Sequence, residues 1–169
     1  MAAAAAARSS TTTSPSEAPG APLPQGLVDR ERILRFAQGY AAAWCTHEAA
    51  RVAACYAPDA ALTINGGTPA RGRAAVSAAV QAFMSGYPDL IVTLEALEQR
   101  GERTLFHWGF AGTNTGPGGT QRPVRIRGYE AWRLDADGLI ADSQGYYDAA
   151  DWQRQVAGAA EAAPADRAG

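Results

Sequence analysis

The residue of this sequence that is best placed for acid–base chemistry is a glutamate within an apolar stretch. Between residues 123 and 134, Glu130 alternates in step with Val124, Ile126 and Trp132, whereas the intervening positions carry mainly arginine and tyrosine. A buried carboxylate needs a partner or acquires a raised pKa, and a raised pKa suits a general base near neutral pH. Two interpretations therefore stay open. Glu130 is a base in a cavity, or it pairs with an arginine or with the helix side of that cavity.

Two aspartates near the end of the chain are further candidates for acid–base chemistry. Asp148 follows Tyr146 and Tyr147 and precedes a predicted helix, so its alternative role is an N-cap that accepts hydrogen bonds from free backbone N–H groups. Asp142 shares strand parity with Ile140 and Tyr146, but a bulge near the strand end would change its direction. Both stay candidates, ranked after Glu130.

Other residues could bind a ligand in such a cavity. The side-chain amide of Asn114 could donate to a ligand carbonyl, or it could simply form the turn before Gly116. Six large aromatic residues are expected in the core, and each could also line the cavity. They are Trp44, Phe83, Trp108, Phe110, Trp132 and Tyr146.

The cysteines and histidines do not follow a metal-binding pattern. Cys45 and Cys55 are separated by ten positions, and a zinc site completed by His47 and His107 would match no usual ligand spacing. We expect two buried, reduced thiols, and no metal. On its strand His107 has the parity opposite to the apolar residues, which places it on the outer face of the predicted sheet.

The composition excludes several classes of function. All 15 basic residues are arginines, which excludes Schiff-base chemistry on lysine, a pyridoxal-phosphate linkage and a P-loop. The formal charge is −2 and the arginines are spread along the chain, so we expect no nucleic-acid partner. No segment approaches the ~20 apolar residues that a membrane span requires, so no membrane partner is expected either.

The composition changes at both ends of the chain. Residues 1–25 contain alanines, then Ser and Thr, then Pro and Gly, with no apolar period, which predicts a disordered leader. The absence of a secretory apolar run favours a cytoplasmic protein, with an organelle-targeting peptide as the alternative. Residues 158–169 are rich in alanine and are predicted to be a disordered tail. One domain, residues 26–157, remains.

Apolar spacing predicts that helices come first in this domain. Steps of three and four residues indicate a long helix at 26–46, whose apolar face carries Ile33, Phe36, Ala37, Tyr40 and Trp44. A short helix is predicted at 48–56 and a third at 72–86. A short strand is predicted at 60–64 and a last helix at 150–156.

Alternation predicts four longer strands, at 90–99, 104–113, 123–134 and 139–147. Their short connections favour antiparallel neighbours. Helices grouped before an antiparallel meander predict an α+β fold, in which a curved sheet wraps around the N-terminal helices and leaves a cavity at its open end.

Several short motifs follow one another between residues 28 and 157. They are Tyr56-Ala57-Pro58-Asp59-Ala60, Tyr87-Pro88-Asp89-Leu90, Gly112-Thr113-Asn114-Thr115-Gly116, Gly128-Tyr129-Glu130 with Arg133, Asp137-Gly138-Leu139-Ile140, and Tyr146-Tyr147-Asp148 with Gln155. In order and spacing they resemble the SnoaL-like polyketide cyclases, a branch of the nuclear transport factor 2-like superfamily.

The resemblance implies a cone-shaped α+β barrel, a homodimer and a deep, mostly apolar cavity for a ring-containing ligand. In the cyclases it implies a cofactor-free aldol closure, in which an acidic residue removes a proton next to a carbonyl. Relatives often carry an aspartate at the position of Glu130. Their last strand often supplies another acid, where this chain has Gly145, and many have a histidine at the position of Asn114.

These features lead to two main hypotheses. The first is a cofactor-independent enzyme, cyclase-like for a polyketide or an ester, that acts on a small hydrophobic carbonyl compound with Glu130 as base and Asn114 or Tyr146 as donor. The second is a non-catalytic binding or dimeric assembly module without the acid. Epoxide hydrolysis ranks below both, because a resemblance to the limonene epoxide hydrolases of similar fold would imply an Asp-Arg-Asp set, and here Arg103 is followed two positions later by Leu105.

Overall fold

The computed structural model describes residues 25–158, which form four helices and six strands. The helices are α1 (Gln25–Cys45), α2 (Ala49–Ala53), α3 (Gly72–Gly86) and α4 (Ala149–Ala157). The strands are β1 (Tyr56–Ile64), β2 (Ala70–Arg71), β3 (Ile91–Arg100), β4 (Arg103–Thr113), β5 (Pro123–Leu134) and β6 (Ile140–Tyr147). Apart from Gln25 and Gly158, the predicted leader and tail lie outside the described residues, and their disorder stays a prediction.

The six strands form one curved sheet in the order β2-β1-β6-β5-β4-β3. Strands β3 to β6 make the predicted antiparallel meander. The α+β prediction is confirmed, and the sheet is open rather than closed into a full barrel. One pairing differs from the prediction, because β1 runs parallel to β6. The two strands are far apart in sequence, and such a long connection allows parallel pairing.

The boundary between α2 and β1 also differs from the prediction. The helix predicted at 48–56 ends at Ala53, and Tyr56 instead begins β1, where it pairs with Ile140 of β6 and is fully buried. The pairing then shifts register before Ala61, and Pro58 lies exposed within this irregular stretch. A proline lacks the N–H that a regular ladder requires, so it is tolerated there. The two-residue strand β2 was too short to show an alternating pattern.

The core lies between α1 and the inner face of the sheet. The rings of Phe106 and Trp132, on neighbouring strands, stack with centroids 4.7 Å apart. Tyr40 of α1 meets both rings edge-on, at 5.3 and 5.0 Å. These three side chains are fully buried, and such aromatic pairs stabilise the contact between helix and sheet beyond the area that they bury. Among residues 25–158, no helix has the length and apolar character that a membrane crossing requires.

Candidate functional site

A mainly apolar cavity of about 70 Å³ lies between the sheet and the helices α1, α3 and α4. Five of the aromatic residues predicted to bind a ligand border it, as does the predicted base Glu130. The five are Trp44, Phe83, Trp108, Phe110 and Tyr146. The sheet and three helices therefore bring together residues that are distant in sequence.

The residue Glu130 is 8% exposed, and its carboxylate is surrounded by neutral hydrogen-bond donors. Its Oε2 accepts from Trp132 Nε1 at 2.9 Å and from Ser143 Oγ at 2.7 Å. The hydroxyl of Tyr40 lies 3.1 Å from both carboxylate oxygens, and that of Tyr56 lies 3.3 Å from Oε2. The two tyrosine hydroxyls are 3.0 Å from each other. Together they form a connected polar network in an apolar core.

Four elements hold this network in place. Glu130 and Trp132 are two positions apart on β5, so their side chains share the inner face. Ser143 of β6 lies directly opposite Trp132 in the ladder. Tyr40 comes from α1 and Tyr56 from β1. The predicted partner on the helix side thus exists in Tyr40, whereas none of the ion pairs found within residues 25–158 involves Glu130.

Burial is the main influence on the protonation of this network. It raises the pKa of the Glu130 carboxyl, and the surrounding donors offset part of the rise. Burial and the charge of Glu130 hold the pKa of Tyr40 and of Tyr56 well above the ordinary value. Both tyrosines therefore stay neutral donors, and a proton that enters the network binds to the carboxylate.

Gly145 leaves space on the cavity wall beside Glu130. The two residues pair in the β5–β6 ladder, and both border the cavity. A Cβ atom at position 145 would make ordinary van der Waals contacts with Glu130 Cγ at 3.7 Å and with the carbonyl oxygen of Thr63 at 3.6 Å. The backbone there leaves room for a Cβ atom, and this chain has none.

The two candidate aspartates lie away from the cavity. Asp148 caps α4, since its Oδ1 accepts a hydrogen bond from the backbone N–H of Asp151 at 2.9 Å. Asp142 forms an ion pair with Arg103, with 2.8 Å between its Oδ2 and the guanidinium. The ladder shifts register next to Ile140, so Ile140 is buried while Asp142 faces the other side of the sheet from Ser143. Neither Asp142 nor Arg103 borders the cavity.

Two of the predicted ligand-binding residues do not border the cavity. Asn114 is part of its own loop, where its Oδ1 accepts from Thr120 N at 3.1 Å and its Nδ2 donates to Tyr87 Oη at 3.2 Å. Trp132 is fully buried, and its Nε1 donates a hydrogen bond to Glu130. Tyr146 does border the cavity, but the residue is 39% exposed and its ring packs on that of Tyr129.

The cysteine prediction is wrong in one respect. Both thiols are free, but Cys45 is exposed and Cys55 is only half-buried. Cys45 ends α1 beside the edge strand β3, where its Sγ meets the backbone of Val92 at 3.4 Å. Within residues 25–158 no three His, Cys, Asp or Glu side chains are grouped closely enough to hold a metal ion. His107 lies 3.5 Å from Glu98.

The sequence reasoning missed three partners of Glu130, namely Tyr40, Tyr56 and Ser143. Helical spacing indicates only that Tyr40 lies on the apolar face of α1. A buried tyrosine hydroxyl needs a partner, so its place on that face was the available signal. Ser143 and Gly145 are two positions apart on β6 and so lie on the same face. This spacing was the available signal that Ser143 lies on the inner face of the sheet.

Comparison with known proteins identifies the family. A model of the SnoaL-like domain matches residues 37–143, which is more than half of the chain. The chain therefore belongs to the SnoaL-like domain family. A comparison with curated protein sequences gave no significant match.

Solved structures agree with this fold. TsrD from Streptomyces laurentii is 23% identical, with a TM-score of 0.65 over 76% of this chain and 96% of that one. A protein with a ketosteroid isomerase-like fold from Catenulispora acidiphila is 18% identical, with a TM-score of 0.64 over 72% and 92%. An LEH-like epoxide hydrolase from M. tuberculosis is 16% identical, with a TM-score of 0.60 over 75% and 90%. At these identities the likeness establishes the fold.

Proposed function

We propose that the protein is a cofactor-independent enzyme that transfers a proton within a small hydrophobic carbonyl compound, in the manner of a polyketide or ester cyclase. The observation that carries the proposal is Glu130, a residue that is 8% exposed at the wall of an apolar cavity and whose carboxylate is held by neutral donors. Burial raises its pKa toward the range in which a carboxylate accepts a proton from carbon.

The proposed step balances without a further reactant. The carboxylate of Glu130 takes a proton from the carbon next to the carbonyl, so a C–H bond breaks and an O–H bond forms on Glu130. The electron pair of the C–H bond moves into a new C=C bond, and the carbonyl oxygen becomes an enolate oxygen. The enolate carbon then attacks a second carbonyl carbon, whose oxygen takes the electron pair of the broken C=O π bond and the proton from Glu130. Alternatively, the enolate carbon takes the proton back from Glu130.

The hydrogen bonds distinguish the two oxygens of Glu130. Oε2 is within hydrogen-bond distance of all four surrounding donors, whereas among the described residues Oε1 has only the Tyr40 hydroxyl, at 3.1 Å. Each hydrogen bond to a carboxylate oxygen stabilises its charge and lowers its basicity. Oε1 is therefore the oxygen that we assign to the proton transfer.

The test is hydrogen–deuterium exchange next to a carbonyl. The full-length protein is incubated with cyclopentanone in D₂O, and loss of the α-proton signal is followed by NMR. We expect the wild type to accelerate exchange and Glu130→Gln to lose about 100-fold or more of that acceleration. The matched control is Glu95→Gln, which removes a carboxylate that pairs with Arg127. Circular dichroism verifies that each variant is folded. Equal exchange by the wild type and Glu130→Gln contradicts the proposal.

A specific observation favours a second function, binding without catalysis. Gly145 places no acid beside Glu130, and the four donors give the carboxylate a structural role in joining α1 to the sheet. For a binding module, cyclopentanone raises the melting temperature by mass action while the wild type does not accelerate exchange. The two readouts together distinguish the functions.

We also propose that the protein forms a homodimer. The family resemblance supports this, as does the exposed ring of Tyr146 on the sheet, packed at 5.2 Å against Tyr129. Light scattering coupled to size-exclusion chromatography measures the mass, and a mass equal to the single chain of 17.6 kDa contradicts the proposal.

A further inference from the structure

Helix α4 borders the cavity but is attached to the rest of the domain less firmly than the other two helices around it. Its Trp152 is part of the cavity wall, yet no residue of α4 is buried. Helices α1 and α3 each bury side chains completely, for example Tyr40 and Val80. Elements with few buried apolar side chains are the ones that open at the lowest free energy. Of the three helices, α4 is therefore the one that is displaced most easily.

One glutamine side chain joins α4 to the sheet. Gln155 Oε1 accepts a hydrogen bond from the backbone N–H of Arg125 at 2.7 Å, and its Nε2 donates to the carbonyl oxygen of the same residue at 2.8 Å. The same Nε2 lies 2.8 Å from Asp151 Oδ2 on α4, which orients the amide. The side chain thus pairs with β5 at a single residue, and this pair of hydrogen bonds holds α4 against the strand.

A second polar contact ties α4 to the residue that follows α3. Trp152 Nε1 donates a hydrogen bond to Tyr87 Oη at 2.8 Å. Before the helix, β6 is anchored to its last residue, because the backbone N–H of Tyr147 donates to Asn65 Oδ1 at 3.0 Å. Asp148 is then the connection between an anchored strand and a helix that is held mainly by polar contacts.

The size of the cavity decides which ligands fit while α4 is in place. Its volume is about 70 Å³. This is less than half of the roughly 150 Å³ cavity that binds benzene in an engineered protein. A carbonyl compound that contains a ring therefore needs one part of the wall to move. Water can replace the hydrogen bonds of Gln155 and Trp152 when α4 moves, whereas moving α1 or α3 exposes buried apolar side chains.

We propose that α4 is a gate of the cavity, and that ring-containing ligands bind the state in which α4 has moved off β5. Gln155 and Trp152 hold the gate closed and so limit the size of ligand that the cavity admits. The inference rests on the proposed function only for the class of ligand, and it does not require Glu130 to act as a base. Since the apparent affinity is proportional to the fraction of protein in the competent state, contacts that close the gate oppose binding.

The test weakens the gate and measures binding of a bicyclic ketone, 1-indanone. Full-length, ¹⁵N-labelled protein is titrated and followed by NMR, as wild type, Gln155→Ala and Gln153→Ala. Gln153 lies exposed on the same helix, so its variant is the matched control. Trp152→Phe is a second variant, which keeps a ring in the wall but removes the N–H that donates to Tyr87. Amide hydrogen exchange of α4 is measured with and without the ketone, and circular dichroism verifies that each variant is folded.

We expect Gln155→Ala and Trp152→Phe to bind 1-indanone about fivefold more tightly than the wild type, the factor that corresponds to one net hydrogen bond. Gln153→Ala should bind like the wild type. By linkage, the ketone should speed amide exchange in α4 and leave that of α1 unchanged. Unchanged or weaker binding by both gate variants, slower exchange of α4 with the ketone, or no saturable shift in any of the proteins overturns the inference. Glu130→Gln separates it from the proposed function, because this variant should lose deuterium exchange into cyclopentanone while the ketone still speeds amide exchange in α4.

Discussion

Glu130 and Gly145 lie directly opposite each other in the β5–β6 ladder, with 3.7 Å between Glu130 Cγ and the point where a Cβ at Gly145 would lie. The wall of the cavity therefore carries one carboxylate and, beside it, an empty side-chain position. Two carboxylates at this distance could not both ionise easily, whereas one carboxylate is stabilised by four neutral donors. The absence of a side chain at 145 thus leaves Glu130 as the sole acid of this pair.

Introducing an acid at position 145 is expected to make stability depend on pH. In Gly145→Asp the new carboxyl lies beside Glu130 in a buried site, so the pKa of the pair rises above the unfolded values. A raised pKa in the folded state means that stability is present below the unfolded pKa and is lost as pH rises through the folded pKa. Gly145→Asn has the same shape without the charge. We expect Gly145→Asp to match Gly145→Asn in melting temperature at pH 4 and to fall below it at pH 8; equal melting temperatures at both pH values contradict this.

The stability of the wild-type protein is expected to depend on pH in the same direction, but more weakly. Because burial raises the pKa of Glu130, its folded state holds a proton that the unfolded chain releases near pH 4.3, roughly the ordinary value for glutamate. Stability from this group therefore declines as pH rises from about that value through the folded pKa. Urea unfolding of the wild type and Glu130→Gln at several pH values measures the difference in free energy of unfolding. We expect the wild type to lose stability relative to Glu130→Gln with rising pH, and a constant difference contradicts the assigned shift.

The sequence predicted the parts of this site that follow from periodicity. The alternation in β5 placed Glu130 on the inner face, and helical spacing placed Tyr40 on the apolar side of α1, both as observed. The face of the sheet on which Asp142 lies was not predictable, because a register shift beside Ile140 changes the strand parity. Periodicity predicts the face of a side chain, but a bulge is set by pairing with another strand.

The hydrogen bonds of the site were beyond sequence reasoning for a related reason. The contact of Tyr40 with Glu130 joins residues 90 positions apart. It depends on how α1 lies across the sheet, which packing of the whole core determines. The family resemblance predicted the fold but could not predict these contacts.

Removing the shortest hydrogen bond to Glu130 is expected to cost stability and to shift its titration. Ser143→Ala deletes the donor 2.7 Å from Oε2, and hydrogen bonds to charged groups contribute about 1.5–3 kcal/mol. Ser85→Ala, at an exposed serine of α3, is the matched control and should change stability little. Urea unfolding at pH 7 gives the free energies. The loss should shrink at low pH, where Glu130 is protonated, and a loss that is independent of pH contradicts a role in holding the carboxylate.

The N-cap of α4 gives a prediction independent of the cavity. Asp148 accepts a hydrogen bond from Asp151 N at 2.9 Å, so Asp148→Ala should lower the free energy of unfolding by about 1 kcal/mol. Asparagine is an equally good cap, and Asp148→Asn should therefore retain most of that stability. Urea unfolding of the three proteins measures both changes. Equal losses in the two variants contradict the capping role and indicate that the charge of Asp148 matters instead.

The contact between Gly128 and Trp108 predicts that replacing Gly128 destabilises the protein more than replacing Gly109, another glycine of the sheet. In Gly128→Ala the new methyl group would meet the backbone carbonyl oxygen of Tyr146 as well as the indole, and a backbone atom cannot move aside. In Gly109→Ala on β4 the nearest atoms are the carboxylate end of Glu95 and the hydroxyl of Thr93, which are side-chain ends that can rotate away. Overpacking of a core costs about 1–3 kcal/mol, so we expect Gly128→Ala to lose about that much and Gly109→Ala clearly less in urea unfolding. The Trp108 indole resonance should also move in Gly128→Ala and stay in place in Gly109→Ala. If both variants unfold alike and neither moves that resonance, Gly128 does not position the indole.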